Sequence, residues 1–179
     1  MILLMGLPGS GKGTQGKMLA DYHNLHLVSM GEIIRMYVTG ERRQRMLAGE
    51  LLHDDEVITI LEQVLDSLPD DTEYILDGFP RTVPQAEWLV RRLTSKDSKI
   101  RCVLHLNASA DAVKARLRAR GRSDDREEVI EERFSEYERL TRPLLAWYKE
   151  HGINICNINA EQPANEVHQE ILKAIELSE

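Results

Sequence analysis

The fifteen residues LLMGLPGSGKGTQGK, Leu3–Lys17, hold five glycines and two lysines. Glycine weakens regular structure, so this concentration directly after an apolar run needs a chemical reason. The spacing Gly6-x-x-x-x-Gly11-Lys12 supplies one, because it is the spacing of a phosphate-binding loop. Without a Cβ, glycine can take positive φ and let the backbone close around an anion, with Gly9, Gly11 and Gly13 as candidate phosphate contacts. Successive N–H groups, Ser10 among them, then point inward, and the helix that opens near Thr14 adds its positive end. Lys12 is placed to reach the outer phosphates of a nucleotide. The common form of this motif has Ser or Thr directly after the lysine; here Gly13 intervenes and Thr14 follows.

Two other groups carry chemistry. Asp77 ends the apolar run YIL, and a carboxylate at the end of a strand is what a magnesium site beside such a loop requires; the ion would be held through water. Arginines stand at 116, 118, 120 and 122, with Arg133 beyond them. Arg116 and Arg120 are four apart, as are Arg118 and Arg122 if a helix extends that far. Like charges at that spacing repel. A solvated face mixes its signs, as Glu127–Glu138 does, so a polyphosphate partner explains the cluster better than an ion-paired surface helix.

These groups need a scaffold that converges on them. Five short apolar runs predict strands: Ile2–Met5, Leu25–Ser29, Tyr74–Leu76, Arg101–Leu106 and Asn154–Ile158. Most are continuous rather than alternating, which suits strands buried on both faces of a parallel sheet. Amphipathic stretches between them predict helices over Thr14–His23, Asp55–Leu68, Pro84–Leu93, Ala110–Arg120, Glu127–Lys149 and Asn165–Leu177. Pro143 should kink or divide the fifth. The alternation implies an α/β fold, a doubly wound parallel five-stranded sheet with helices on both faces. Two regions break it and read as small insertions on the working edge: 30–54, helical in pattern, and 116–133, dense in both charges. The chain then reads as one domain, with its core in 1–29, 55–115 and 134–179.

The totals narrow the class. A net charge of −7 argues against a general nucleic-acid or membrane-surface binder. Cys102 and Cys156 are far apart in sequence and lie in apolar runs, which suits buried thiols in a reducing compartment and no zinc site. The opening Met1–Met5 is too short for a leader or a membrane span, and no later segment is long and apolar enough. A cytoplasmic protein is expected. The six histidines fall in no metal or nucleophile spacing and are assigned no chemistry.

The run GLPGSGKGTQ, Gly6–Gln15, resembles the loop of the adenylate kinases and their nucleoside monophosphate kinase relatives. The resemblance runs nearly the whole length, to the short-lid type. Four further blocks carry it in the family's order: VSMGEIIR (Val28–Arg35), AGELLHDD (Ala48–Asp55), YILDGFPRT (Tyr74–Thr82) and RLRARGRSDD (Arg116–Asp125) with Arg133. It implies a nucleotide-kinase fold of the P-loop NTPase type, with 30–54 as monophosphate-binding segment and 116–133 as lid. By position, Arg35 and Arg81 hold the acceptor's phosphate, and Met30, Leu51, Leu52, Gly78 and Gln85 complete an AMP site. Arg116 and the late loop containing Gln162 lie on the donor base. Lys12, Arg81, Arg120, Arg122 and Arg133 contact the transferring phosphates, Asp77 holds magnesium, and Asp124 and Asp125 pair with arginines as the lid closes.

Departures from the family pattern are Met30 for Thr, Glu32 for Asp, Glu50 for Lys, and a single residue between Arg120 and Arg122. The lid has no cysteine cluster, so no structural zinc is expected. The implied activity is reversible phosphoryl transfer from MgATP to AMP giving two ADP, by a monomer whose partners are small nucleotides rather than nucleic acid or membrane. Two alternatives stand beside it: a kinase of the same mechanism preferring CMP or UMP, and a non-catalytic nucleotide sensor.

Overall fold

The computed structural model describes residues 1–47, 52–69, 72–122 and 125–177. Leu51, Glu50 and Asp124 therefore lie outside the described residues. Among the described residues five strands form one parallel sheet: β1 (Ile2–Met5), β2 (His26–Ser29), β3 (Tyr74–Asp77), β4 (Cys102–Asn107) and β5 (Ile155–Asn159). Their order across the sheet is β2-β3-β1-β4-β5. The expected strands are all present, some with ends moved by a residue. β1 shows why the runs are continuous. Leu3 and Met5 belong to the cluster on one face, and Ile2 and Leu4 to the cluster on the other. A strand buried on both faces has no polar side to alternate with.

Helices cover both faces. They are α1 (Lys12–His23), α2 (Met30–Tyr37), α3 (Gly40–Leu47), α4 (Asp54–Asp66), α5 (Val83–Ser95), α6 (Ala110–Arg120), α7 (Glu127–Glu136), α8 (Leu144–Glu150) and α9 (Ala164–Glu176). Val57 and Leu61 of α4, Ala86 and Leu89 of α5, and Leu144 and Tyr148 of α8 pack with Leu3, Leu76 and Val103 on one face. Leu19 of α1 and Val167 and Ile171 of α9 pack with Ile2, Leu4 and Leu104 on the other.

The helix expected over Glu127–Lys149 is divided. α7 ends at Glu136, a π-helical turn spans Tyr137–Thr141, and α8 begins after Pro143. Proline has no N–H and crowds the preceding turn. The backbone widens there, and Arg142 N–H reaches the Tyr137 carbonyl at 2.8 Å, five residues back. The region 30–54 holds α2 and α3 and no strand among its described residues. α6 runs unbroken through position 116 to Arg120, where Gly121 at φ 65° ends it. Arg122 therefore lies beyond the helix and does not share a helix face with Arg118, as the spacing would have allowed had α6 continued.

A third, smaller cluster sits under this arginine-bearing turn: Val113, Leu117, Ile130 and Phe134, with Leu7 against them. It ties α6 and α7 to the glycine-rich loop. A Cβ on Gly9 would fall 2.7 Å from Leu117 Cγ, so loop and helix touch directly. Leu117→Ala should lower the unfolding free energy by about 2–4 kcal/mol, as cavity-forming substitutions do. Urea denaturation measures it, and a loss well under about 1 kcal/mol would show that the cluster does not hold the turn.

Candidate active site

Strand β1 runs straight into the loop, and two glycines there are required by close approach. A Cβ on Gly6, at φ +145°, would sit 2.6 Å from the Leu106 carbonyl oxygen of the neighbouring strand. Gly9, at φ +88°, is confined by Leu117 and Val113. Lys12 opens α1 and folds back, its Nζ donating to the carbonyls of Gly6 at 2.7 Å and Leu7 at 2.9 Å. Burial lowers its pKa to about 8. Nearby Asp77 opposes the shift, and Arg81, Arg133 and Arg120 add to it. An ammonium so placed is poised to exchange the loop's own carbonyls for a phosphate.

A cavity of about 700 Å³ opens above the carboxyl ends of β1 and β3, where sheets of this kind bind ligands. Gly9, Gly11, Lys12, Gly13 and Thr14 line it from the loop, and Arg35, Asp77, Gly78, Arg81, Arg122 and Arg133 from elsewhere. These residues come from widely separated parts of the chain and meet because β1 and β3 are neighbours in register, Leu4 beside Asp77. Asp77 faces the loop: a Cβ on Gly13 would be 3.9 Å from its Oδ2. Among the described residues no three His, Cys, Asp or Glu side chains are grouped to hold a metal. One carboxylate beside an open phosphate cavity still fits magnesium, which keeps most of its waters and takes few protein ligands.

Arg81 is held by several contacts. Its Nε donates to the Gly78 carbonyl at 3.0 Å, its N–H donates to Gln85 Oε1 at 2.8 Å, and its carbonyl accepts from Thr141 Oγ1 at 3.0 Å. Burial lowers its pKa, with Asp77 and Glu136 countering and Arg35 adding. The guanidinium stays charged.

The acceptor-base candidates are placed differently from expectation. Met30 is fully buried in the core and does not line the cavity. Leu52 packs against that same core cluster. Gln85 is buried and uses both ends of its amide within the protein, its Nε2 donating to Asp54 Oδ1 at 2.7 Å. Met30, Leu52 and Gln85 thus stand behind the cavity wall, while Arg35, Gly78 and Arg81 form it.

A second depression of about 630 Å³ lies on the other side of the loop. Gly9, Ser10, Gly11 and Thr14 line it with Arg116, Arg120 and Gln162. Gln162 is tied by its Nε2 to the Asn159 carbonyl at 3.1 Å and to Glu170 Oε2 at 2.6 Å. The arginines divide by role. Arg118 turns outward and pairs with Glu127 Oε2 at 2.7 Å, so for this residue the ion-paired surface explanation holds. Arg120 grips the Asp125 carboxylate with two bonds, at 2.9 and 2.5 Å, and Arg133 lies 4.0 Å from the same group. Asp125 also accepts the Arg122 N–H at 3.0 Å. Burial works to raise the Asp125 pKa, but these partners outweigh it and hold the group below the usual carboxylate range.

Among the cavity residues missed from the sequence are Glu136, Tyr137 and Thr141, which follow Arg133. The first two carried a signal, since positions three and four after Arg133 share its helix face. Thr141 carried none, because the π-helical turn shifts it out of helical phase. Asp54, the partner of Gln85, was also missed.

The low Lys12 pKa has a stability consequence. Folding buries a cation below pH 8, and that cost is relieved as the pH rises from about 8 towards the ordinary 10.5. Lys12→Met should therefore raise the thermal midpoint of the ligand-free protein at pH 7. Its advantage over the wild type should shrink by pH 10. Scanning calorimetry of both proteins across that range reads the difference, and a constant difference would contradict the depressed pKa.

Comparison with known proteins agrees with this geometry. The family model described as adenylate kinase matches residues 4–153. The adenylate kinase of Nitrobacter hamburgensis is 37% identical, covering 98% of this chain and 91% of the relative. That of Methanothrix thermoacetophila is 34% identical over 97% of both chains, and adenylate kinase 1 of a Nostoc species is 36% identical over 95% of both. With the family model matching residues 4–153 and such relatives covering nearly the whole chain, the chain belongs to the adenylate kinase family.

Proposed function

We propose that this chain catalyses reversible transfer of the γ-phosphoryl group of MgATP to AMP, giving two ADP. The observation that carries the reading is the convergence of Lys12, Arg81, Arg122 and Arg133 on one cavity beside Asp77. The donor takes the loop, with its base towards Arg116 and Gln162; the acceptor's phosphate takes Arg35 and Arg81. Asp77 would hold magnesium through water, and the ion would supply neutralisation of phosphate charge. Lys12 and the arginines do the rest by alignment, since two polyphosphates repel unless cations stand between them. Arginine suits this task because its planar fork donates two bonds to phosphate oxygens and stays charged. No general base is required, because the attacking phosphate oxygen is already ionised.

Water is the competing acceptor. We read 30–54 and 116–133 as the moving parts that exclude it, completing the cage when both substrates are bound. Closure of 30–54 over Gln85 would bring the segment that carries Leu51 and Leu52 to the acceptor base. Met30, buried in the core, weighs little against AMP. The reading includes a short lid without zinc and a monomer acting on free nucleotides in the cytoplasm. A net charge of −7 supports small nucleotides over nucleic acid, and no described helix is long and apolar enough to cross a membrane.

Product analysis tests it. The protein is incubated with MgATP and, separately, AMP, CMP, UMP, GMP and dTMP, and products are resolved by ion exchange. ADP should form fastest with AMP, and ADP alone should yield ATP and AMP. Chelation of magnesium should stop both directions. Arg133→Ala should lower kcat about a hundredfold or more, as loss of one donor to transition-state charge does. Faster transfer to another monophosphate would overturn the acceptor, and binding without transfer would mean a sensor.

A further inference from the structure

His105 was assigned no chemistry from its sequence position, yet the fold sets it behind the phosphate cavity. It lies on β4 between Met5 of β1 and Asn157 of β5. Its Nδ1 is 3.1 Å from Asn157 Oδ1, and its Nε2 is 3.2 Å from the Tyr137 hydroxyl. Asn157 Oδ1 also receives Asn107 Nδ2 at 3.3 Å. Tyr137 lines the cavity and opens the π-helical turn, a kind of irregularity common at functional sites.

Donor and acceptor chemistry settles the protons. The Asn157 carbonyl oxygen only accepts, so Nδ1 of His105 carries a hydrogen. In the neutral ring Nε2 is then an acceptor, and the Tyr137 hydroxyl must donate to it. Tyr137 has no hydrogen left for the cavity and can offer only oxygen lone pairs, which repel a phosphate oxygen. A second proton on the ring reverses this. Nε2–H donates to the Tyr137 oxygen, and the hydroxyl hydrogen is released to point at a phosphate.

We infer that Tyr137 is a further phosphate contact of this site and His105 its positioning residue, the pair taking up one proton from solvent when nucleotide phosphates bind. The inference rests on the phosphate-cavity reading above. The surroundings favour a change on binding. Burial disfavours a protonated imidazole and outweighs the Asn157 hydrogen bond that favours it, and the positive charges of Arg142 from beyond the turn and Lys12 from the loop act with burial. β1 and β5 face it with the uncharged Met5 and Asn157, and Glu138 is taken up by Arg142 at 2.6 Å. Phosphates in the cavity offset the cations and draw the proton on.

Imidazole NMR measures this site alone. The His105 signal is assigned by its loss in His105→Gln. It is then titrated from pH 5 to 8 without nucleotide and with a saturating ATP analogue whose β–γ bridge is a methylene. The midpoint should rise by about one pH unit or more when the analogue binds. In Tyr137→Phe the rise should be smaller, and calorimetric affinity for the analogue should lose the part of its pH dependence that the wild type shows between pH 6 and 8. An unchanged His105 midpoint, with binding heat confirmed, overturns the inference and leaves the phosphate reading standing. So does full pH dependence in Tyr137→Phe. Absence of binding heat sinks the phosphate reading and the inference together.

Discussion

Cations held close together with no anion between them repel, and much of this structure answers that constraint. Lys12, Arg81, Arg122 and Arg133 face one cavity, with Arg120 on the adjoining depression. All of them but Arg122 have side chains held by other protein groups. Lys12 rests on the carbonyls of its own loop. Arg81 is bonded to Gly78 and lies in the field of Asp77 and Glu136. Arg120 and Arg133 share the Asp125 carboxylate. On the proposed reading these carboxylates stand where phosphate charge would come, and cations prepositioned in this way would need little reorganisation.

The sheet makes the arrangement possible. Parallel strands buried on both faces put all their carboxyl ends on one edge, so loops distant in sequence meet there. The order β2-β3-β1-β4-β5 sets β1 between the strand that ends in Asp77 and the strand that carries His105. The loop after β1 is therefore flanked by a carboxylate on one side and an imidazole on the other. The arginine-bearing turn belongs to no strand, and its link to the loop is apolar, through Leu117, Val113 and Leu7. Packing there transmits the position of the loop to the arginines.

The strands and helices were legible because each has a strong period or a continuous apolar run. The glycine-rich loop was legible because only backbone geometry explains its composition, and Gly6 and Gly9 indeed stand where a Cβ would collide. Spacing was less informative about side-chain direction. Arg116, Arg118 and Arg120 look alike in sequence, but Arg118 faces Glu127 across the outer surface while the other two line a depression. Met30 sits in a family block and Gln85 just beyond one, and both still lie behind the cavity wall, because α2 and α5 present those positions to the core and to Asp54.

What the chain determines locally is the class of chemistry: a phosphate cradle, a strand-end carboxylate and an excess of arginine, each written in consecutive residues. What needed the fold is every relation between distant segments. The pairing of Gln85 with Asp54, the shared grip on Asp125, and the contact of His105 with Tyr137 depend on which strand lies beside which and on where a π-helical turn rotates the chain. Local periodicity encodes which face of an element is buried. It carries no information about which other face will meet it, because that choice is made by packing of the whole.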